Sequence, residues 1–194
     1  MDRALTVFGY HGTSAESAEA ILEPGKQTAE RFLFSENDTD WLGKGVYFFQ
    51  DAPYRSREWP TIRVPPPART ENPVVLCAEI DLKDCLDLLD IEAAKEIVES
   101  YPSMEVDYKK SERLLPVNKG GKHEFDCALI NYAVEYMEEN GRKVNVVRAA
   151  FVEGRPILPE SQLYSRAHVQ IVVRPYRMEA IKDIHFYHFK EGGK

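Results

Sequence analysis

The chain has 194 residues, 43% of them hydrophobic, enough to bury one sizeable core and too few for two well-stabilised ones, so a single domain over 1–194 is expected. A formal net charge of −7 repels polyanions at long range and confines any grip on nucleic acid to a local basic groove. No segment supplies the ~18 apolar residues of a membrane span, and MDRALTVFGY lacks a signal-peptide core, so a cytoplasmic protein without a membrane partner is expected.

In chain order, residues 4–10 (ALTVFGY) read as a strand ending at the turn His11-Gly12. Thr13 to Glu16 has the capping-box spacing, and Ala18, Ile21 and Leu22 supply the apolar stripe of a helix opening directly after His11. A polar stretch over 24–44 is long for a loop in a compact domain, which points to function. A short strand follows at Val46-Tyr47-Phe48-Phe49. Residues 60–73 hold five prolines and read as extended and irregular. Strands are expected at 74–82, 144–152, 168–174 and 181–189, and helices at 91–100 and 124–139. Strands outnumber helices without alternating with them regularly, the pattern of an α+β domain rather than a doubly wound parallel sheet.

Several chemistries have no signature. There is no GxxxxGK[ST], no GxGxxG after a strand, no HExxH and no GxSxG. The five histidines are scattered, which gives a metal site little support, and none is expected. Cys77, Cys85 and Cys127 are odd in number and lack CxxC spacing, so they read as small buried apolar residues.

Three stretches remain: His11-Gly12-Thr13 at a strand end, "GKGVYF" over 43–48 entering a second strand, and His168-Val169-Gln170-Ile171 in a late one. In this order they resemble the ADP-ribosyltransferase superfamily of the poly(ADP-ribose) polymerase and diphtheria-toxin type, which is marked by a histidine, a tyrosine and a glutamate on three strands. The resemblance implies a split antiparallel β-sheet with flanking helices, and NAD+ as co-substrate. It implies that His11, Tyr47 and Gln170 are the catalytic set. His11 would hydrogen-bond a hydroxyl of the adenosine ribose, Gly12 would pair its backbone with the nicotinamide amide, and Thr13 would cap the next helix. Tyr47 would pack against the nicotinamide ring. Ser56 would bond the amide, and Trp59 would close an aromatic clamp from the other side.

The chemistry implied is dissociative cleavage of the nicotinamide–ribose bond through an oxocarbenium-like transition state. Gln170 stands where the family has a glutamate, so a hydrogen-bond acceptor is kept and a charge is lost. Single-unit transfer, a specialised acceptor, or a carboxylate supplied by Glu153 or Glu160 all follow as alternatives. The expectation is a mono-ADP-ribosyltransferase acting on a macromolecular acceptor, protein or nucleic acid. It is similar to bacterial toxin or phage-defence enzymes that a partner antitoxin protein holds in check. The alternatives are an NAD+ glycohydrolase and a non-catalytic NAD or ADP-ribose-binding domain.

Overall fold

A computed structural model describes residues 5–25, 32–37, 40–62 and 69–190. Seven strands form a mostly antiparallel open sheet: β1 (Thr6–Thr13), β2 (Val46–Gln50), β3 (Val74–Asp81), β4 (Cys85–Asp87), β5 (Val146–Pro156), β6 (Tyr164–Val173) and β7 (Ile181–Phe186). Their order across the sheet is β4-β5-β6-β2-β1-β3-β7, and among the described residues only the β4–β5 pair is parallel. Among the described residues four α-helices accompany it: α1 (Ala15–Leu22), α2 (Pro53–Ile62), α3 (Ile91–Lys110) and α4 (Glu124–Glu139). The α+β expectation holds at this level.

Period-two alternation in the central strands sends neighbours to opposite faces of the sheet. Val46, Phe48, Ile171 and Val173 point into one core with Ala18 and Ile21 of α1 and with Leu76, Ala78 and Ile80 of β3. Val147, Ala149 and Val172 point into a second core with Ile97 of α3 and with Ile130, Ala133, Val134 and Met137 of α4. Tyr47 packs against the second core.

Four local expectations need correction. β1 continues to Thr13, so Thr13 is a strand residue, and the cap of α1 is Ser14, whose Oγ accepts from the Ser17 N–H at 3.1 Å. Helix α2 occupies 53–62, part of which the prolines had suggested was irregular. Pro53 stands at its first position, where a missing N–H costs nothing, and Pro60 falls in its last turn. The Pro65-Pro66-Pro67 run lies outside the described residues. Helix α3 runs ten residues past Ser100, because the buried stripe Ala93, Ile97, Ser100, Met104 continues through Pro102. The short strand β4 was not read at all: three residues carry too little periodicity to register.

Pro60 has one further effect. Lacking an N–H, it leaves the carbonyl of Ser56, four residues earlier, without its helical donor. That oxygen points at Gly12 of β1: a Cβ built on Gly12 would lie 1.9 Å from it. Only a residue that turns a Cα–H in that direction allows α2 to rest on the sheet.

Candidate functional site

The site begins where two adjacent strands part. β1 pairs with β3 over eight residues and β2 with β6 over five, yet the β1–β2 register contains only Gly9↔Gln50 and Tyr10↔Phe49. Beyond Tyr10 the strands diverge, and a cavity of about 320 Å³ occupies the fork. Gly12 and Thr13 line one side and Gly45 to Phe49 the other.

Strand parity says which backbone groups face this cavity. The Phe8 carbonyl accepts from the Asp51 N–H at 3.1 Å, so Phe8, Tyr10 and Gly12 direct their N–H and C=O groups toward β2. Gly12 and Tyr47 would form the next hydrogen-bonded pair of the ladder, but the register ends before them. The Tyr47 carbonyl is taken instead by Nδ1 of His11 at 2.9 Å. The Gly12 N–H and C=O therefore face the fork side by side, one donor and one acceptor.

A carbonyl oxygen only accepts, so His11 carries its proton on Nδ1 and presents Nε2 as an acceptor. Burial lowers the His11 pKa below the ordinary imidazole value, partly opposed by its bond to the Tyr47 carbonyl, which keeps the ring in this neutral form. Its ring is wedged against Phe32 and Phe48, with centroids 5.9 and 5.7 Å away.

Tyr47 is held from its far end. Its hydroxyl donates to the Gly43 carbonyl at 2.7 Å and accepts from the Leu42 N–H at 3.1 Å, which leaves the ring as the part turned to the cavity. Burial, reinforced by the nearby Asp40 charge, raises its pKa well above the ordinary phenol value. The glycines of "GKGVYF" seat this loop. At Gly45 (φ +154°) an added Cβ would meet the Val173 carbonyl at 2.3 Å, so the chain enters β2 hard against β6. The loop is clasped from outside by Arg174, 8% exposed, whose Nη1 donates to the Lys44 carbonyl at 2.9 Å and to Asn131 Oδ1 at 2.8 Å. Asn131 Oδ1 also accepts from the Lys44 N–H at 3.0 Å.

The third strand contributes a histidine–glutamine pair. His168 Nδ1 donates to the Arg166 carbonyl at 2.9 Å, and burial lowers its pKa, so its Nε2 is an acceptor. Gln170 Nε2 lies 3.0 Å from that nitrogen and must be the donor. The amide is thereby oriented, and the remaining group, the Gln170 carbonyl oxygen, is available to the cavity that Gln170 lines.

Among the described residues two carboxylates share the wall, Asp40 and Glu153. Asp40 accepts from Ser35 Oγ at 3.0 Å and from the Asn37 N–H at 2.8 Å, fastening the mouth loop. Glu153 on β5 is 2.5 Å from Arg55 Nη2; Arg55 Nη1 is 2.9 Å from Glu58, and Glu58 is 2.5 Å from Arg166. Hydrogen bonding from Arg166 is the main reason the Glu58 carboxyl stays below its ordinary range.

His11, Gly12, Thr13, Tyr47, Trp59 and Gln170 all stand on the cavity wall. Ser56 is not among its lining residues: it is fully buried in α2, and its Oγ has no hydrogen-bonding partner among the described residues. Glu160 is also away from the cavity. The sequence reading missed Trp41 and Phe151, whose rings meet at 4.2 Å on the cavity wall, and the clasp of Arg174 and Asn131. Only long-range packing brings these residues together, with no local spacing to announce them. Among the described residues no group of three or more His, Cys, Asp or Glu is placed to hold a metal ion. No described helix is long and apolar enough to cross a membrane.

No protein-family model matches the chain, and no solved structure matches it. A stretch of 42 residues, 22% of the chain, is 43% identical to part of an uncharacterised protein of Methanocaldococcus jannaschii, MJ0359, and covers 17% of that protein's length. None of the three comparisons assigns an activity, so function is inferred from the chemistry of the fork.

Proposed function

We propose that the protein is an NAD+-dependent mono-ADP-ribosyltransferase, its sheet split in the manner of that superfamily, which cleaves the nicotinamide–ribose bond and passes ADP-ribose to a macromolecular acceptor. The observation that carries this reading is the unpaired end of the β1–β2 ladder. There the Gly12 N–H and C=O form a donor–acceptor pair that matches a primary carboxamide, beside the Tyr47 ring. A flat, amide-bearing ring such as nicotinamide fits both features. His11 Nε2 and the Gln170 carbonyl are acceptors on the same wall, suited to ribose hydroxyls. The cavity is at the small end of ligand sites, enough for the reacting half of the dinucleotide, with the adenosine half extending along its open mouth.

Trp59 opposes Tyr47 in this reading, and Trp41 with Phe151 excludes water from the leaving ring. The fully buried Ser56 takes no part in amide binding and acts through its carbonyl, by seating α2 against Gly12. The test is incubation of the protein with labelled NAD+ and cell extract, followed by nuclease or protease treatment of the labelled material. Label that enters a macromolecule together with release of nicotinamide supports the transferase. Nicotinamide release without label would make the protein a glycohydrolase, and NAD+ binding without release a binding domain.

A further inference from the structure

Helix α3 is apolar on two opposite sides. Its inner stripe, Ala93, Ile97, Ser100 and Met104, is buried, with Ala93 and Ile97 in the second core. At about 3.6 residues per turn, Ile91, Ala94, Val98, Pro102 and Val106 form a second stripe along the other side, and all five are exposed. Ile91 is 72% exposed, Val98 70% and Val106 48%. A helix that packs on one face is ordinarily polar on the other, and a continuous apolar stripe facing water marks a contact surface.

We propose that this outer stripe is the docking surface for a second copy of the chain, whose α3 lies antiparallel to the first. A two-fold interface presents one patch to itself, so the patch must be self-complementary. The stripe meets that condition about a two-fold axis at Val98 and Glu99. Ile91 of one protomer then falls opposite Val106 of its partner, the two Val98 side chains meet near the axis, and the smaller Ala94 and Pro102 lie between. None of these residues lines the cavity at the fork, so the association stands independently of the transferase reading.

The charges along the stripe select this occupant and this direction. The first turn of α3 is acidic, with Glu92 after the cap Asp90, and the last turn is basic, with Lys109 and Lys110. Antiparallel copies bring the acidic end of one helix to the basic end of the other and oppose their macrodipoles. In that register Lys95 lies within about one turn of the partner's Glu99, and Glu92 within about one turn of the partner's Lys109. Within the protomer Lys95 reaches Glu92 at 2.6 Å, while the Glu99 and Lys109 side chains have no ion pair among the described residues. A parallel copy in register would set Lys95 against Lys95 and Glu99 against Glu99, which repel. The 20 residues of α3 span about 30 Å, a small interface, so a dissociation constant on the order of 10 µM is expected.

The test is sedimentation equilibrium of the full chain from about 1 to 300 µM, where a monomer–dimer equilibrium is expected. Val98→Glu places two like charges at the two-fold axis and is expected to raise the dissociation constant at least about 100-fold with an unchanged circular dichroism spectrum. Lys95→Glu alone and Glu99→Lys alone each set like charges across the seam at two symmetric points, and each is expected to weaken the dimer about tenfold. An equimolar mixture of those two variants opposes unlike charges again and is expected to associate within about threefold of the wild type. Should Val98→Glu fail to fold, the single variants and their mixture decide. A wild type that stays monomeric to about 300 µM, a dimer that a folded Val98→Glu leaves intact, single variants that dimerise as tightly as the wild type, or a mixture no tighter than either variant alone would each overturn the proposal.

Discussion

Gly12→Ala adds one methyl group at the point where helix and sheet touch, and its consequences follow from one distance. The new Cβ would lie 1.9 Å from the Ser56 carbonyl oxygen and 2.8 Å from its carbon. A carbon–oxygen contact needs about 3.3 Å, so a gap of about 1.4 Å must open. The obstacle is main chain in the middle of α2, which has no rotamer to change, so the whole helix has to move. Such overpacking costs about 1–3 kcal/mol of stability. The functional loss is expected to be larger in proportion, because Trp59 and Arg55 ride on α2 and a displacement of about 1 Å at a reacting site costs on the order of 100-fold in rate. Denaturant unfolding gives the first quantity and nicotinamide release the second. If Gly12→Ala unfolds within about 0.5 kcal/mol of the wild type and retains full turnover, α2 does not rest on β1 through this contact, and the account of Gly12 is wrong.

Three further outcomes are expected. Tyr47→Phe loses the bonds to Gly43 and Leu42 and about 1–2 kcal/mol of stability but keeps its ring, whereas Tyr47→Ala abolishes nicotinamide release in a protein that circular dichroism finds folded; equal rates in the two variants would make the hydroxyl, not the ring, the working part. Arg174→Met frees the Lys44 carbonyl and Asn131, which is expected to cost about 2–3 kcal/mol in denaturant unfolding and to raise KM for NAD+ more than it lowers kcat; an unchanged KM would show that the loop holds its place without the clasp. Burial lowers the pKa of both His11 and His168, so below the unfolded-state value of 6.5 the unfolded chain takes up protons first. Stability is full above that pH and falls below it, by at most about 1.4 kcal/mol per pH unit for each histidine, and urea midpoints that stay level from pH 7.5 to 5.5 would refute this.

The strands were legible wherever a β-branched or aromatic run reached about four residues, because period-two burial leaves its trace in the residues themselves. Helix α4 could be read for the same reason: its stripe Ile130, Ala133, Val134, Met137 has helical spacing and no proline interrupts it. Helix α2 was hidden because its prolines carry opposite meanings at different positions, a start at Pro53 and a tolerated last turn at Pro60, and only the fold distinguishes these from breaks. At the site, the glycines and aromatics that mark a close approach could be picked out singly. The partners that orient them could not. His168 turns the Gln170 amide from two residues away on its own strand, but Arg174 reaches Lys44 across 130 positions of sequence and Arg55 reaches Glu153 across 98. Sequence spacing carries no record of such distances.

The fork also explains how one short segment serves both fold and site. Continuing the β1–β2 ladder by one pair would add two backbone hydrogen bonds between Gly12 and Tyr47, with a net gain of about 1–3 kcal/mol. The chain forgoes them, and what holds the strands apart lies outside the ladder. His11 occupies the Tyr47 carbonyl, Ser56 presses on Gly12, and the Gly43–Gly45 loop is drawn toward α4 by Asn131 and toward β6 by Val173. Each of these is a contact that only long-range packing provides, so the gap is a property of the whole molecule rather than of a weak strand. A carboxamide in the gap would donate to the Gly12 carbonyl and accept from its N–H, supplying the groups that β2 withholds. Ligand binding of this kind completes a strand pairing, and it places any ring attached to the amide beside Tyr47.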